Sequence, residues 1–191
     1  MTTRQEQIIE KSIELIAESG IQGLTIKNLS KKIGVSEPAI YRHFDSKTDI
    51  LLTMLNNLHD FTENLSETIL AKESNSLKKI EKVMVSYFDT FEKHPYWVSV
   101  IFSDEIFKNE NVLKTRINEI LQSKENLFVK LLGAAQKDKL IREDVNKKQI
   151  ALIMMGSLRL IVKKWELSGY SFNLRKEGKK LFKTIFKLIA K

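Results

Sequence analysis

Apolar residues return every three or four positions along nearly the whole chain, the spacing of one face of an α-helix, and no stretch alternates as a strand would. Residues from about 4 to 19 place Ile9, Ile13 and Ile16 together, and Gly20 and Gly23 shape the exit. A second helix follows Thr25, whose hydroxyl can cap it, and Ile26, Leu29 and Ile33 fall at i, i+3, i+7. Gly34 ends it and Val35 plugs the turn. Ser36 stands as the N-cap of the next short helix, which is expected to run to Phe44 with Pro38 in its first turn. Ile40 and Phe44, one turn apart, face inward there. Ser46 to Asp49 reads as a capping box opening a helix to about residue 71. A polar break at 73–76 precedes helices at 77–93, stopped by His94 and Pro95, and at 96–107, 111–139, 147–168 and 174–190. The expectation is an all-α fold of about nine helices, without an internal repeat or a low-complexity linker.

The segment 25–47 is peculiar as packing material. With Ile40 and Phe44 turned inward, Pro38, Ala39 and Arg42 point away from the core and Tyr41 and His43 lie on the flanks. A short helix that turns small, aromatic and basic groups outward suits the floor of a DNA major groove.

The run GLTIKNLSKKIGVSEPAIYRHFDSKTDILL resembles the DNA-binding segment of the TetR/AcrR family of bacterial regulators. The marks that carry the likeness are Gly20, Thr25, Leu29–Ser30, the turn Gly34–Ser36, Tyr41–Phe44 and the stretch Lys47–Leu51. They hold over residues 5 to 60. Beyond that the likeness rests on length and helix pattern. The resemblance implies an N-terminal three-helix DNA-binding domain, residues 1–48 with the helix-turn-helix at about 25–44. A helical effector-binding and dimerisation domain, 49–191, would follow. It also implies that Thr25, Lys27, Tyr41, His43 and Lys47 hold phosphates or groove edges, with Ser36 beside them. Glu37, Pro38, Ala39 and Arg42 would read bases. Arg42 has the chemistry for a bidentate contact to guanine.

Charge qualifies this picture. The formal net charge is +8, but residues 1–50 hold seven basic and seven acidic groups. Within 25–47 five bases (Lys27, Lys31, Lys32, Arg42, Lys47) meet two acids (Glu37, Asp45). The surplus lies in 159–191, where ten Lys/Arg face only Glu166 and Glu177. Local distribution therefore argues for nucleic acid better than the total does.

With 191 residues and 42% hydrophobic content, the chain can bury about 70% of its unfolded surface. It has no cysteine, which fits a reducing compartment. The N-terminus lacks a secretion signature, and the most apolar run, 150–158, breaks at Arg159, far short of the ~20 residues that span a bilayer. A cytoplasmic protein with no membrane partner is expected.

Seven of the sixteen aromatics fall between 87 and 107. They are either the wall of an apolar effector pocket or a plain bundle core. Since family members bind effectors in this domain, the candidate pocket residues are Phe61, Phe88, Phe91, Trp97, Ile101, Phe102, Phe128 and Met154. Asp104, Glu105, His94 and Arg116 are candidate polar anchors. Near the C-terminus Leu181, Phe182, Ile185, Phe186 and Ile189 make a stripe, with Lys179, Lys180, Lys183 and Lys187 opposite. In a monomer the stripe would cap the bundle, and on an anionic membrane it would be an anchor. By family resemblance, and with Gly156 permitting close approach, it is a homodimer interface.

Chemistry-bearing clusters are sparse. The three histidines (His43, His59, His94) have no ligand partner at helical spacing, and no Gly-rich phosphate loop or serine elbow occurs. No catalytic residue, metal or cofactor is expected. The reading is a ligand-responsive DNA-binding regulator of the repressor class, with a double-stranded operator and a small, largely apolar effector as partners. Two alternatives stay open: a same-fold protein whose larger domain binds a protein instead, and an interaction dimer that does not bind DNA.

Overall fold

Local signals and helices agree closely at the N-terminus. In the computed structural model, which describes residues 1–102 and 110–191, α1 runs Thr3–Gly23 from a capping box in which Thr2 and Gln5 satisfy each other's backbone N–H groups. Ile8, Ile9, Ile13 and Ile16 are buried along it. α2 (Ile26–Ile33) starts at Thr25, whose hydroxyl accepts the Asn28 N–H at 3.1 Å. It ends at Gly34, φ +80°, with the Val35 N–H on the Ser30 carbonyl and the Gly34 N–H reaching Lys31, a Schellman ending. A side chain there would be strained, so glycine fits the turn.

α3 is shorter than the pattern predicts: Glu37–Tyr41, not 36–44. Beyond it the chain stays coiled, with the Phe44 N–H on the Ile40 carbonyl at 3.2 Å, and Phe44 is buried. Ser36 occupies the N-cap position without a side-chain cap bond. α4 (Lys47–Lys72) opens as expected with the Ser46 hydroxyl accepting the Asp49 N–H. The Asp49 carboxylate, however, takes the Asp45 N–H instead of closing a box on Ser46.

The remaining helices are α5 (Ser76–Lys93), α6 (Tyr96–Ile101), α7 (Asn111–Lys137), α8 (Lys147–Leu167) and α9 (Leu174–Ile189). Asn75, Asn146 and Asn173 cap α5, α8 and α9 with their side-chain oxygens. Among the described residues there is no strand, only an isolated antiparallel bridge between Ile141 and Ala190. No described helix is long and apolar enough to cross a membrane.

Packing divides the chain into two units. Unit one is residues 1–60 and 95–118; unit two is 61–94 and 119–191. In unit one α6 packs on α1, and Leu24, Leu29, Ile40, Phe44, Ile50, Met54, Val98 and Leu113 complete the core. In unit two α9 packs against α5 and α8. At Gly178 an added Cβ would lie 2.2 Å from Phe88 Cε2. Only a residue without a side chain lets α9 come so near. Phe88 then stacks, tilted by 45°, on Phe182 with ring centres 5.8 Å apart.

Candidate nucleic-acid interface

The exposed side of the helix-turn-helix contains the residues the pattern set apart. Ser36, Glu37, Pro38, Tyr41 and Arg42 are exposed; Ala39 and His43 are half-buried. Tyr41 is 51% exposed. Thr25 and Lys27 are exposed at the start of α2. The Thr25 oxygen accepts a cap bond, which leaves its hydroxyl hydrogen directed elsewhere. α3 owes its direction to Ile40, wholly buried, and to the Gly34 turn.

The five bases of this segment are not equivalent. Lys32 Nζ lies 2.8 Å from Glu18 and 3.6 Å from Glu14, and Glu14 also holds Lys11 at 2.7 Å. The Glu18 hydrogen bond raises the Lys32 pKa. Lys47 is half-buried and its ammonium donates to the Ile21 carbonyl at 2.8 Å; burial lowers its pKa. Lys47 thus stitches the start of α4 to the end of α1, a role that spacing did not disclose. Lys27, Lys31 and Arg42 remain exposed. Lys31, absent from the expected contact set, closes α2 one turn from Lys27.

The candidate pocket residues are divided between the two packing units. Trp97, Ile101 and Phe102 belong to unit one; Phe61, Phe88, Phe91, Phe128 and Met154 belong to unit two. Phe88, Phe128 and Met154 are fully buried and act as core of unit two, whereas Phe61 is 50% exposed. Tyr87, edge-on to Phe128, bonds Ser66 and is pushed up to about 12 by burial. Arg116 Nε donates to Asn56 at 2.6 Å, and His94 is exposed at the end of α5. Asp104, Glu105 and Phe107 lie outside the described residues.

The residues of the expected dimer stripe differ in exposure. Phe182, Ile185 and Ile189 are 2%, 7% and 3% exposed within one protomer, because α9 turns that face onto α5 and α8. They have almost nothing left to offer a second chain. Leu181 and Phe186 are half-buried, and Leu188, one heptad after Leu181, is 70% exposed. The apolar face that protein does not cover lies on α8: Leu152, Ile153, Leu160 and Leu167 are exposed, and Gly156 lies among them with open space where a Cβ would be. Ala151, Met154, Val162 and Trp165 fill the opposite side. Of this face the sequence pattern singled out Gly156 alone. An apolar surplus too large for one helical face was the signal available.

The profile described as "Bacterial regulatory proteins, tetR family" matches residues 8–54, and that of the "YsiA-like protein, C-terminal region" matches 54–191. The chain belongs to the tetR family of bacterial regulatory proteins. Among similar proteins is the fatty acid metabolism regulator protein of Bacillus subtilis (strain 168), 24% identical over 169 residues, 88% of this chain and 86% of that one. The nucleoid occlusion factor SlmA of Mannheimia succiniciproducens is 27% identical over 130 residues, 68% of this chain and 60% of its own length. The crystal structure of FadR from Bacillus subtilis in complex with stearoyl-CoA shares the fold: its TM-score is 0.81 at 22% identity, covering 97% of each chain. TetR-family members are DNA-binding transcription regulators and not enzymes, and this chain is one of them.

Proposed function

We propose that this regulator is a homodimeric repressor that α3 seats on a near-palindromic operator and that a largely apolar effector of acyl type releases. The observation that carries the reading is the outward set on α3, in which Glu37, Pro38, Ala39 and Arg42 are held away from the core by buried Ile40 and Phe44. Arg42 reads a guanine edge; Thr25, Lys27, Tyr41, His43 and Lys47 hold the backbone on either side, with Ser36 beside them. Two copies enter successive major grooves about 34–36 Å apart. The two copies meet through the α8 face of Leu152, Ile153, Gly156, Leu160 and Leu167 and the α9 edge of Leu181 and Leu188. Gel shifts against genomic fragments find the operator. Retention of both affinity and sequence preference by Arg42→Ala would overturn the base-reading assignment.

The acyl class of effector is supported by the relative named for fatty acid metabolism and by the stearoyl-CoA bound to FadR. An effector that lowers operator affinity ~100-fold must favour the non-binding state by ~2.7 kcal/mol. Linkage is reciprocal, so operator DNA weakens acyl-CoA binding by the same factor. Calorimetry with and without operator measures this, and an unchanged affinity removes the mechanism. A second reading, a protein partner in place of the small molecule, is favoured by the filled interior around Phe88, Phe128 and Met154. Acyl-CoAs that neither bind nor displace operator would select it.

A further inference from the structure

One edge of α9 is used neither by the core nor by the proposed dimer face. There a cleft of about 600 Å³ opens between the start of α5, the turn after α7 and α9. Its floor is apolar, made of Leu77, Leu140, Phe182, Phe186 and Ala190. Its rim is basic: Lys179, Lys180, Lys183 and Lys187 against the single acid Glu81. We propose that this cleft is a docking groove for an acidic segment of a partner protein that inserts one or two apolar side chains between the lysines.

Three features select that occupant. Lys179, Lys183 and Lys187 stand at i, i+4, i+8, so their stems follow one row with about 6 Å between members. This row is poorly neutralised from within. Glu81 is 3.9 Å from Lys179, Lys180 is taken up by Glu177 at 2.7 Å, and among the described residues no acid pairs with Lys183 or Lys187. Most of the apolar floor is recessed: Phe182 is 2% exposed and Leu77, Leu140 and Phe186 are half-buried, while Ala190 is exposed at its end.

Each rival surface would leave part of this arrangement unused. A flat bilayer meets the ammonium groups but does not reach a recessed floor, since membrane-binding helices press protruding apolar side chains into the lipid. Duplex DNA engages the cations through phosphates and has nothing to place on the phenylalanines. An apolar centre inside a charged rim is the anatomy of a protein interface, and lysine stems add apolar wall to it. An acidic segment with apolar anchors supplies both halves. Lys183 stands two residues, about 200° round the helix, from Leu181, so the groove remains open in a dimer joined through α8 and Leu181.

The test is fluorescence anisotropy on the full-length protein with a labelled synthetic peptide of about twelve residues, rich in Glu and carrying Leu and Phe four apart. Binding that weakens with salt is expected. It should fall by ~10-fold or more in Lys183→Glu/Lys187→Glu, and likewise for a peptide with Ser in place of Leu and Phe. Operator binding by the charge-reversed protein should be unchanged, which separates loss of the groove from loss of the fold. Phe186→Ser, checked by circular dichroism, should also weaken the peptide. The proposal is overturned if the parent peptide does not bind, or if the Ser peptide binds equally well, which would mean a bare charge patch. It is also overturned if phosphatidylglycerol vesicles or non-specific duplex bind in a lysine-dependent way while the peptide does not.

Discussion

The outer side of α3 and the outer side of α8 are both surfaces that folding leaves uncovered, yet their chemistry is opposite. α3 presents a proline, an arginine, a glutamate and a tyrosine on five residues of helix and the turn after it. α8 presents four large aliphatic side chains across twenty-one residues, with a second apolar face behind them. A wet, directional face suits a polyanion whose groove edges carry donors and acceptors. A dry, non-directional face suits another protein surface of the same kind, and two copies of itself satisfy that condition. The contrast also separates stability from function: the residues that hold the helices together lie beneath these faces, not on them.

Five substitutions sharpen or break the contrast. The largest effect is expected beneath the surface, where Phe88→Ala should cost ~3–5 kcal/mol of folding stability in denaturant titration. Gly178→Ala forces a methyl group into the same ring and should cost ~1–3 kcal/mol, with a smaller loss when Phe88→Leu is present as well. On α3 the cost moves from folding to binding: Arg42→Ala should lose ~1–3 kcal/mol of operator affinity with an unshifted melting temperature. On α8, Leu152→Ala/Leu160→Ala should shift sedimentation from dimer to monomer and leave helix content intact. Should those leucines unfold the chain as Phe88→Ala does, α8 has no free face and the comparison fails.

The smallest effect is a pH dependence. Buried Tyr87 keeps its proton to about 12, against 10.0 for the ordinary side chain. Above the ordinary value the unfolded chain ionises first, so stability declines as pH rises from about 10 to about 12. Tyr87→Phe should make that alkaline decline shallower in urea titrations, with little change at neutral pH.

How far the sequence could be read follows the same divide. In unit one the punctuation is local and stereochemical. Thr25 caps, Gly34 adopts the left-handed turn and Pro38 tolerates only a first helical turn, so the direction of α3 was legible. The end of α3 was less so, because turn bonds continue through Phe44 after regular helix has stopped. In unit two the pattern shows which residues share a helical face but not which face is inside. Leu152 and Met154 are both apolar and two positions apart, yet one is 61% exposed and the other wholly buried. On α9 the same ambiguity put Phe182, Ile185 and Ile189 on the outside, when Gly178 lets that side close onto Phe88. The aromatic cluster of 87–107 was dense in sequence but is shared between two packing units, a long-range outcome that no spacing rule contains.

The Lys32 pairing on α1 carries a consequence for random adhesion. A cation already offset by Glu14 and Glu18 attracts a phosphate less strongly than a bare one, so Lys32 is expected to add less than Lys27 or Lys31 to random adhesion along DNA. Glu18→Gln is therefore expected to raise the affinity for random-sequence duplex at low salt, as read by gel shift, with the melting temperature unchanged.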